Sequence, residues 1–161
     1  YYRMVNPMDI LDVAVPAVFL GQSIGRWGNF VNKEAYGKKV ENLDWLPSFI
    51  QNQMYIDGSY RNPTFLFESF GTLIGFILVI IFRHRLKSIL RGEIFGFYLI
   101  WYGSIRLIVE GMRTDSLMLG MLRVSQILSL ILVLIGFCFI IYRRFKIKNI
   151  EFYNLSQGEQ K

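Results

Sequence analysis

The run "VSQILSLILVLIGFCFIIY" (residues 124–142) contains no Asp, Glu, Lys, Arg or His, and "RRFKIK" (143–148) follows it at once. A helix of about 20 residues rises roughly 30 Å, the thickness of the hydrocarbon core of a bilayer. An uncharged run of that length ending in a basic cluster therefore predicts a membrane-spanning helix. Working outward, residues 94–112, "IFGFYLIWYGSIRLIVEGM", form a second such run with two charges, and 64–82, "TFLFESFGTLIGFILVIIF", a third with one. Residues 9–24, "DILDVAVPAVFLGQSI", are the weakest, opened by two aspartates and interrupted by Pro16. The alternative, a soluble domain with buried helices, needs polar surface that four such runs leave scarce in 161 residues.

Composition agrees with this reading. Hydrophobic residues make up 53% of the chain, charged residues only 19%, and the mean hydropathy is +0.34. The predicted fold class is thus all-α, a polytopic transmembrane helical bundle. Residues 1–147 are expected to form the membrane-embedded domain, and 148–161 a polar cytoplasmic tail. The net charge of +6 does not point to nucleic acid. Its cations gather in "RHRLKSILR" (83–91) and after residue 142, flanking apolar runs as the positive-inside rule describes, where they also attract anionic lipid headgroups. No basic stripe interleaved with aromatics offers bases a stacking surface. Cys138 is the single cysteine and lies inside an apolar run, so no disulfide forms within the chain. The single histidine, His84, sits in a basic turn, and no metal-ligand cluster is visible. The residues therefore point to no metal site.

With the basic clusters on the cytoplasmic side, the run at 64–82 passes inward, 94–112 outward and 124–142 inward. The first run then passes outward, and the aromatic-rich segment 38–62 lies outside, against the headgroups. On this frame Arg26, Glu68, Arg106, Glu110 and Arg113 all fall in the outer half of the bilayer. Ionisable groups within a span cost roughly 2.5–3.5 kcal/mol each and are functional candidates. Gly96, Gly103, Arg106, Glu110 and Arg113 are spaced as a stripe on one helical face, and Glu68, Gly71 and Gly75 as another. Gly21-x-x-x-Gly25 resembles a small-residue packing motif.

Blander readings stand beside these. Arg106 and Glu110 can neutralise each other as an i,i+4 pair, Glu68 can bond serine or backbone across an interface, and Arg113 can snorkel. Asn62-Pro63 reads as a helix cap with proline at the first helical position. Trp27, Trp45 and Trp101 read as interfacial anchors or packing residues. Taken together, arginines in excess over acids in one cleft favour an anionic group, because guanidinium binds phosphate in bidentate fashion. Phospholipid headgroups are the anions at hand.

The stretch "GRWGNFVNKEAYG" (25–37) resembles the signature of the prolipoprotein diacylglyceryl transferases, G-R-x-x-N-F-x-N-x-E-x-x-G, at Gly25, Arg26, Asn29, Phe30, Asn32, Glu34 and Gly37. "NPTFLFES" is similar to that family's H-P-T-x-L-Y-E, "YGSIRLIVEGMRTD" to Y-G-x-x-R-F-x-V-E-x-x-R-x-P-D, and "SQILSL" to G-Q-x-L-S, in order from about Asp12 to Leu130. The resemblance implies transfer of the diacylglyceryl group of phosphatidylglycerol to the lipobox cysteine thiol of a preprolipoprotein signal peptide. The implied products are a thioether and glycerol phosphate, no metal or other cofactor takes part, and the place is the plasma membrane of a bacterium, with the cleft toward the outer leaflet. It implies that Arg26, Arg106 and Glu110 are catalytic. It further implies that Arg26, Asn29, Glu34, Gly37 and Arg113 hold phosphatidylglycerol; because a glutamate paired with arginine is a weak base, Glu110 is expected to orient Arg106.

Asn62 stands where the family usually has histidine, "RTDSL" lacks the usual proline, and "RVSQ" the usual glycine. The family's upstream H-G-G-L segment has no counterpart here, so the chain is expected to lack an N-terminal part of the enzyme. The competing expectations are a lipid-binding relative without activity and an anion or lipid transporter. The transporter needs a polar path to the far side, which the inner halves of the last three runs do not offer.

Overall fold

A computed structural model describes residues 6–86, 88–114, 118–119 and 122–146, so the tail expected at 148–161 lies outside the described residues. Four long helices dominate: α1 (Pro7–Val31), α3 (Thr64–Arg85), α4 (Glu93–Met112) and α5 (Val124–Lys146). Each is long and apolar enough to cross a membrane, with mean hydropathy of 1.3 for α1, 2.3 for α3, 1.2 for α4 and 2.7 for α5. The fold is thus a helical membrane bundle. Between α1 and α3 lie β1 (Lys39–Val40), α2 (Ser48–Gln53), β2 (Tyr55–Ile56) and β3 (Ser59–Arg61). A small ribbon, β4 (Met118–Leu119) and β5 (Leu122–Arg123), leads into α5.

α1 is longer than the 9–24 run that the sequence predicted. Asn6 caps its start, accepting from Met8 N at 3.0 Å, and Pro7 occupies the first helical position. The helix continues through Gly25 and Gly28 to Val31, so Arg26 and Asn29 are helix residues rather than part of the following loop. Helical hydrogen bonding satisfies every backbone group without water, which favours continuation of a helix within a bilayer. α3 and α5 likewise run past their apolar runs into the basic residues Arg83–Arg85 and Arg143–Lys146. Cations near a helix C-terminus are stabilised by its dipole.

Two helix pairs form the bundle. α1 lies along α3, clasped where Ser23 Oγ donates to Ser69 O (3.0 Å) and Ser69 Oγ donates to Ser23 O (2.9 Å). α4 lies along α5, and the backbones touch because glycine allows it. A Cβ on Gly103 would stand 2.9 Å from Ser129 O, and one on Gly136 would stand 2.9 Å from Gly96 O. α3 meets α4 where Trp101 Nε1 donates to Gly71 O at 2.9 Å. Val15, Phe19, Val79, Ile89 and Ile94 fill the centre, with Tyr98 edge-on to Phe19 at 5.0 Å. This apolar layer separates the two polar ends of the bundle among the described residues, which counts against a transport path.

Several expectations are corrected. Gly21 and Gly25 have nothing within 4 Å of an added Cβ, so no helix packs on that motif among the described residues. Gly96 and Gly103 face α5, whereas Arg106 reaches α3, so the proposed α4 stripe is divided between two neighbours. Glu68, Gly71 and Gly75 do share the face toward α4. Asn62 does not cap α3: the cap position is Pro63, without a side-chain hydrogen bond, and Asn62 serves through its carbonyl, which accepts from Gly37 N and Thr64 N. The segment 38–62 is more ordered than a loop. Its strands pair antiparallel in the order β1-β3-β2, with β2 and β3 joined by a tight turn at Asp57 (φ 50°) and Gly58 (φ 73°). Leu43, Leu46, Ile50 and Met54 bury beneath it against Phe65 and Leu66.

The end opposite the signature is also polar. Asp12, fully buried in α1, accepts from Gly92 N (2.5 Å) and Phe95 N (2.9 Å) at the start of α4. A carboxylate from one helix thereby caps another. Asp9 pairs with Arg91 at 2.6 Å, and Glu93 pairs with Arg144.

Candidate functional site

At the signature end, α1, α3 and α4 each bring an ionised side chain to one point. Glu68 of α3 is 3% exposed and lies between two arginines. Arg26 Nη2 of α1 is 2.9 Å from its Oε1, and Arg106 Nη1 of α4 is 3.4 Å from both of its oxygens. Arg106 Nη2 also contacts Glu110 Oε2, one turn along α4, at 2.9 Å, and Arg113 Nη1 stands 4.0 Å from the same oxygen. Neither contact to Glu110 Oε2 is an aligned hydrogen bond, so charge holds that carboxylate in place. The i,i+4 pair exists, but it belongs to a larger cluster. Arg123, at the foot of α5, donates to Glu110 O. Three guanidiniums thus face two carboxylates, with Arg123 on a backbone carbonyl beside them, a formal excess of two positive charges among the described residues.

The layering of this cluster matters. The carboxylate side chains are only 4% and 2% exposed, whereas Arg26 keeps 22% of its side-chain surface open and Arg106 keeps 18%. The acids form a floor and the arginines a partly open lid. Each guanidinium carries five N–H donors, more than these contacts consume, so donors remain for an external oxyanion.

The rest of the signature forms a short connection that returns the chain to this cluster. After α1, Lys33 (φ 54°) and Ala35 (φ 55°) adopt left-handed backbone conformations. Glu34 N donates to Asn29 O at 2.9 Å, and Thr64 Oγ1 donates to Ala35 O. Gly37 then slots between two elements, with its N donating to Asn62 O at 2.8 Å and its backbone bridging Arg113. A Cβ there would lie 2.8 Å from Asn62 Cβ and 3.0 Å from Met112 O. Gly37 therefore fastens the signature loop to the end of α4 that carries Glu110 and Arg113.

Of the site residues read from the sequence, the structure brings Arg26, Arg106, Glu110 and Arg113 together. Gly37 supports them through backbone contacts. Asn29 is half-buried on α1, three residues beyond Arg26, and Glu34 is exposed at the rim. Sequence reasoning undervalued Glu68. Its signal was present, a lone acid inside an apolar run, but a helix sequence alone does not say which neighbours it faces. Arg123 was missed; its signal was its position immediately before a charge-free run.

The chain matches the family described as prolipoprotein diacylglyceryl transferase over residues 1–142. It is 69% identical over 146 residues to the phosphatidylglycerol--prolipoprotein diacylglyceryl transferase of Lactococcus lactis subsp. lactis (strain IL1403), an alignment covering 91% of this chain and 56% of the relative. The protein of the same name from Streptococcus pyogenes serotype M3 is 58% identical over 153 residues, 95% of this chain and 59% of the relative. That of Streptococcus agalactiae serotype V is 59% identical over 144 residues, 89% and 56%. The chain thus spans a little over half the length of these curated relatives. With the expected signature clustered at one end of a membrane bundle and nearly the whole chain matched, the chain belongs to the prolipoprotein diacylglyceryl transferase family.

Proposed function

We propose that the chain carries the phosphate-holding half of a phosphatidylglycerol–prolipoprotein diacylglyceryl transferase site, in a bacterial plasma membrane with the arginine cluster toward the outer leaflet. The observation that carries this reading is the pair Arg26 and Arg106, partly open to the surface and tied to one buried carboxylate, Glu68. In the proposed reaction the lipobox cysteine thiol attacks the glycerol carbon that bears the phosphate. A C–S bond forms and the C–O bond to phosphate breaks. The electron pair of that bond leaves with glycerol phosphate, which overall also takes up the thiol proton. Negative charge therefore builds on the leaving phosphate, and cations already aimed there stabilise the transition state more than the bound lipid.

The roles follow from position. Arg26 and Arg106 take the phosphate oxygens, Arg113 adds positive potential at the rim, and Glu110 orients Arg106. Asn29 and Glu34 offer polar contacts to the headgroup glycerol, and Gly37 holds the loop that carries Glu34. Placing the basic residues of α3 and α5 on the cytoplasmic side gives the cluster its outer-leaflet position.

The test is a mass-shift assay in membranes, using this chain and its extension to the full length of its relatives. Each is supplied with phosphatidylglycerol and a lipobox peptide. A diacylglyceryl mass gain on the peptide cysteine, abolished by Arg106→Ala, is the expected result. Bound lipid with no mass gain from either form would overturn the transferase reading in favour of a lipid-binding relative.

A further inference from the structure

At the basic end of the bundle, far from the arginine cluster, a cavity of about 180 Å³ opens between α3, α4 and α5. Val79 and Phe82 of α3, Phe97 of α4 and Ile140 of α5 line it, and its polar residues are Glu93 and Arg144. We propose that this cavity takes an acyl chain of an anionic phospholipid whose phosphate is held by Arg144, making a second lipid site separate from the proposed transferase cleft.

Three observations support this occupant. Apart from Glu93 and Arg144 its lining is apolar, a surface that favours a hydrocarbon guest over water. The space is also too small for a protein helix, which with its side chains is about 10–12 Å across, but it suits a single chain of methylenes. Finally, the rim is cationic. Arg144 keeps 51% of its side-chain surface exposed, although Glu93 occupies its Nε and, at 3.0 Å, its Nη2. Among the described residues of this end, Arg83, Arg85, Arg91, Arg143, Arg144 and Lys146 outnumber Asp9, Asp12 and Glu93. An excess of cations where a bundle meets the headgroups attracts anionic lipid. Glu93 is then the competitor: its carboxylate holds Arg144 in place and also opposes an incoming phosphate.

Native mass spectrometry of the detergent-solubilised protein, with phosphatidic acid and phosphatidylcholine of identical acyl chains as probes, tests the proposal. The wild type is expected to retain phosphatidic acid in preference to phosphatidylcholine. Arg144→Ala weakens that retention about tenfold, the size of one charge-assisted hydrogen bond. Ile140→Trp, which fills the cavity, removes it, and Glu93→Gln strengthens it, a gain that misfolding does not produce. Arg26→Ala removes only lipid held at the opposite cluster, so failure of one site is told apart from failure of the other. Retention unchanged in both Arg144→Ala and Ile140→Trp, or weakened in Glu93→Gln, overturns the second site.

Discussion

Replacing Glu68 with glutamine preserves the shape of the side chain and removes its charge. In the native cluster that charge lies 2.9 Å from Arg26 and 3.4 Å from Arg106. Without it, two guanidiniums on the order of 6–7 Å apart repel each other by about 2.5 kcal/mol at an effective dielectric of 20. Both arginines are roughly one-fifth exposed, so solvent screens part of this, and a net loss of about 1–2 kcal/mol of stability is expected. On the proposed transferase reading, turnover should fall further. Glutamine no longer fixes the directions of both guanidiniums, and loss of one preorganised transition-state contact costs about 10²-fold in rate. Affinity for the lipid phosphate should move the other way, because the carboxylate that competes for those donors is gone. Thermal unfolding, lipid retention by native mass spectrometry and single-turnover alkylation of a lipobox peptide read these three quantities separately. A variant with turnover and lipid retention both at wild-type levels would refute the reasoning that Glu68 aims the two arginines.

Other substitutions probe the scaffold. Asp12→Ala orphans the buried N–H groups of Gly92 and Phe95, so about 2–4 kcal/mol of stability should be lost, with a smaller loss for Asp12→Asn; denaturation midpoints check both. Gly103→Ala presses a methyl group onto Ser129 O and Val133, costing about 1–3 kcal/mol and loosening α4 from α5, which hydrogen exchange along the two helices detects. Gly37→Ala should lower turnover by more than it lowers the unfolding temperature, because it displaces the loop from Asn62 and Met112 beside the cluster while the bundle stays packed.

The four spans were legible because apolar runs of helix length with so few charges have few other uses. Their ends were not. The basic ends of α3 and α5 and the glycine-containing end of α1 remain helical because the backbone has no cheaper way to satisfy its hydrogen bonds, a constraint that the residue pattern of 9–24 does not display. Arg26, Arg106, Arg113 and Glu110 were legible as charges that the membrane makes costly. Glu68 was visible for the same reason, but its bridging role depends on how α1 and α4 rotate against α3, which distant contacts decide. The same holds for Asp12: in sequence it weakens a span, and in the fold it completes the start of another helix. The ribbon over Leu43 and Ile50 escaped because strands of two or three residues leave too short a pattern, although Asp57-Gly58 marked its turn.

The capping of α4 by Asp12 also sets a clock on biogenesis. The carboxylate and the Gly92 N–H it binds are 80 residues apart in the chain. At roughly 5–20 residues per second, the ribosome needs about 4–16 s to deliver the second after the first. During that interval α1, whose mean hydropathy of 1.3 is well below the 2.7 of α5, carries an acid with no helix start to receive it. An ionisable group in a span is costly until it finds a partner, so the arrival of α4 relieves α1 of that cost.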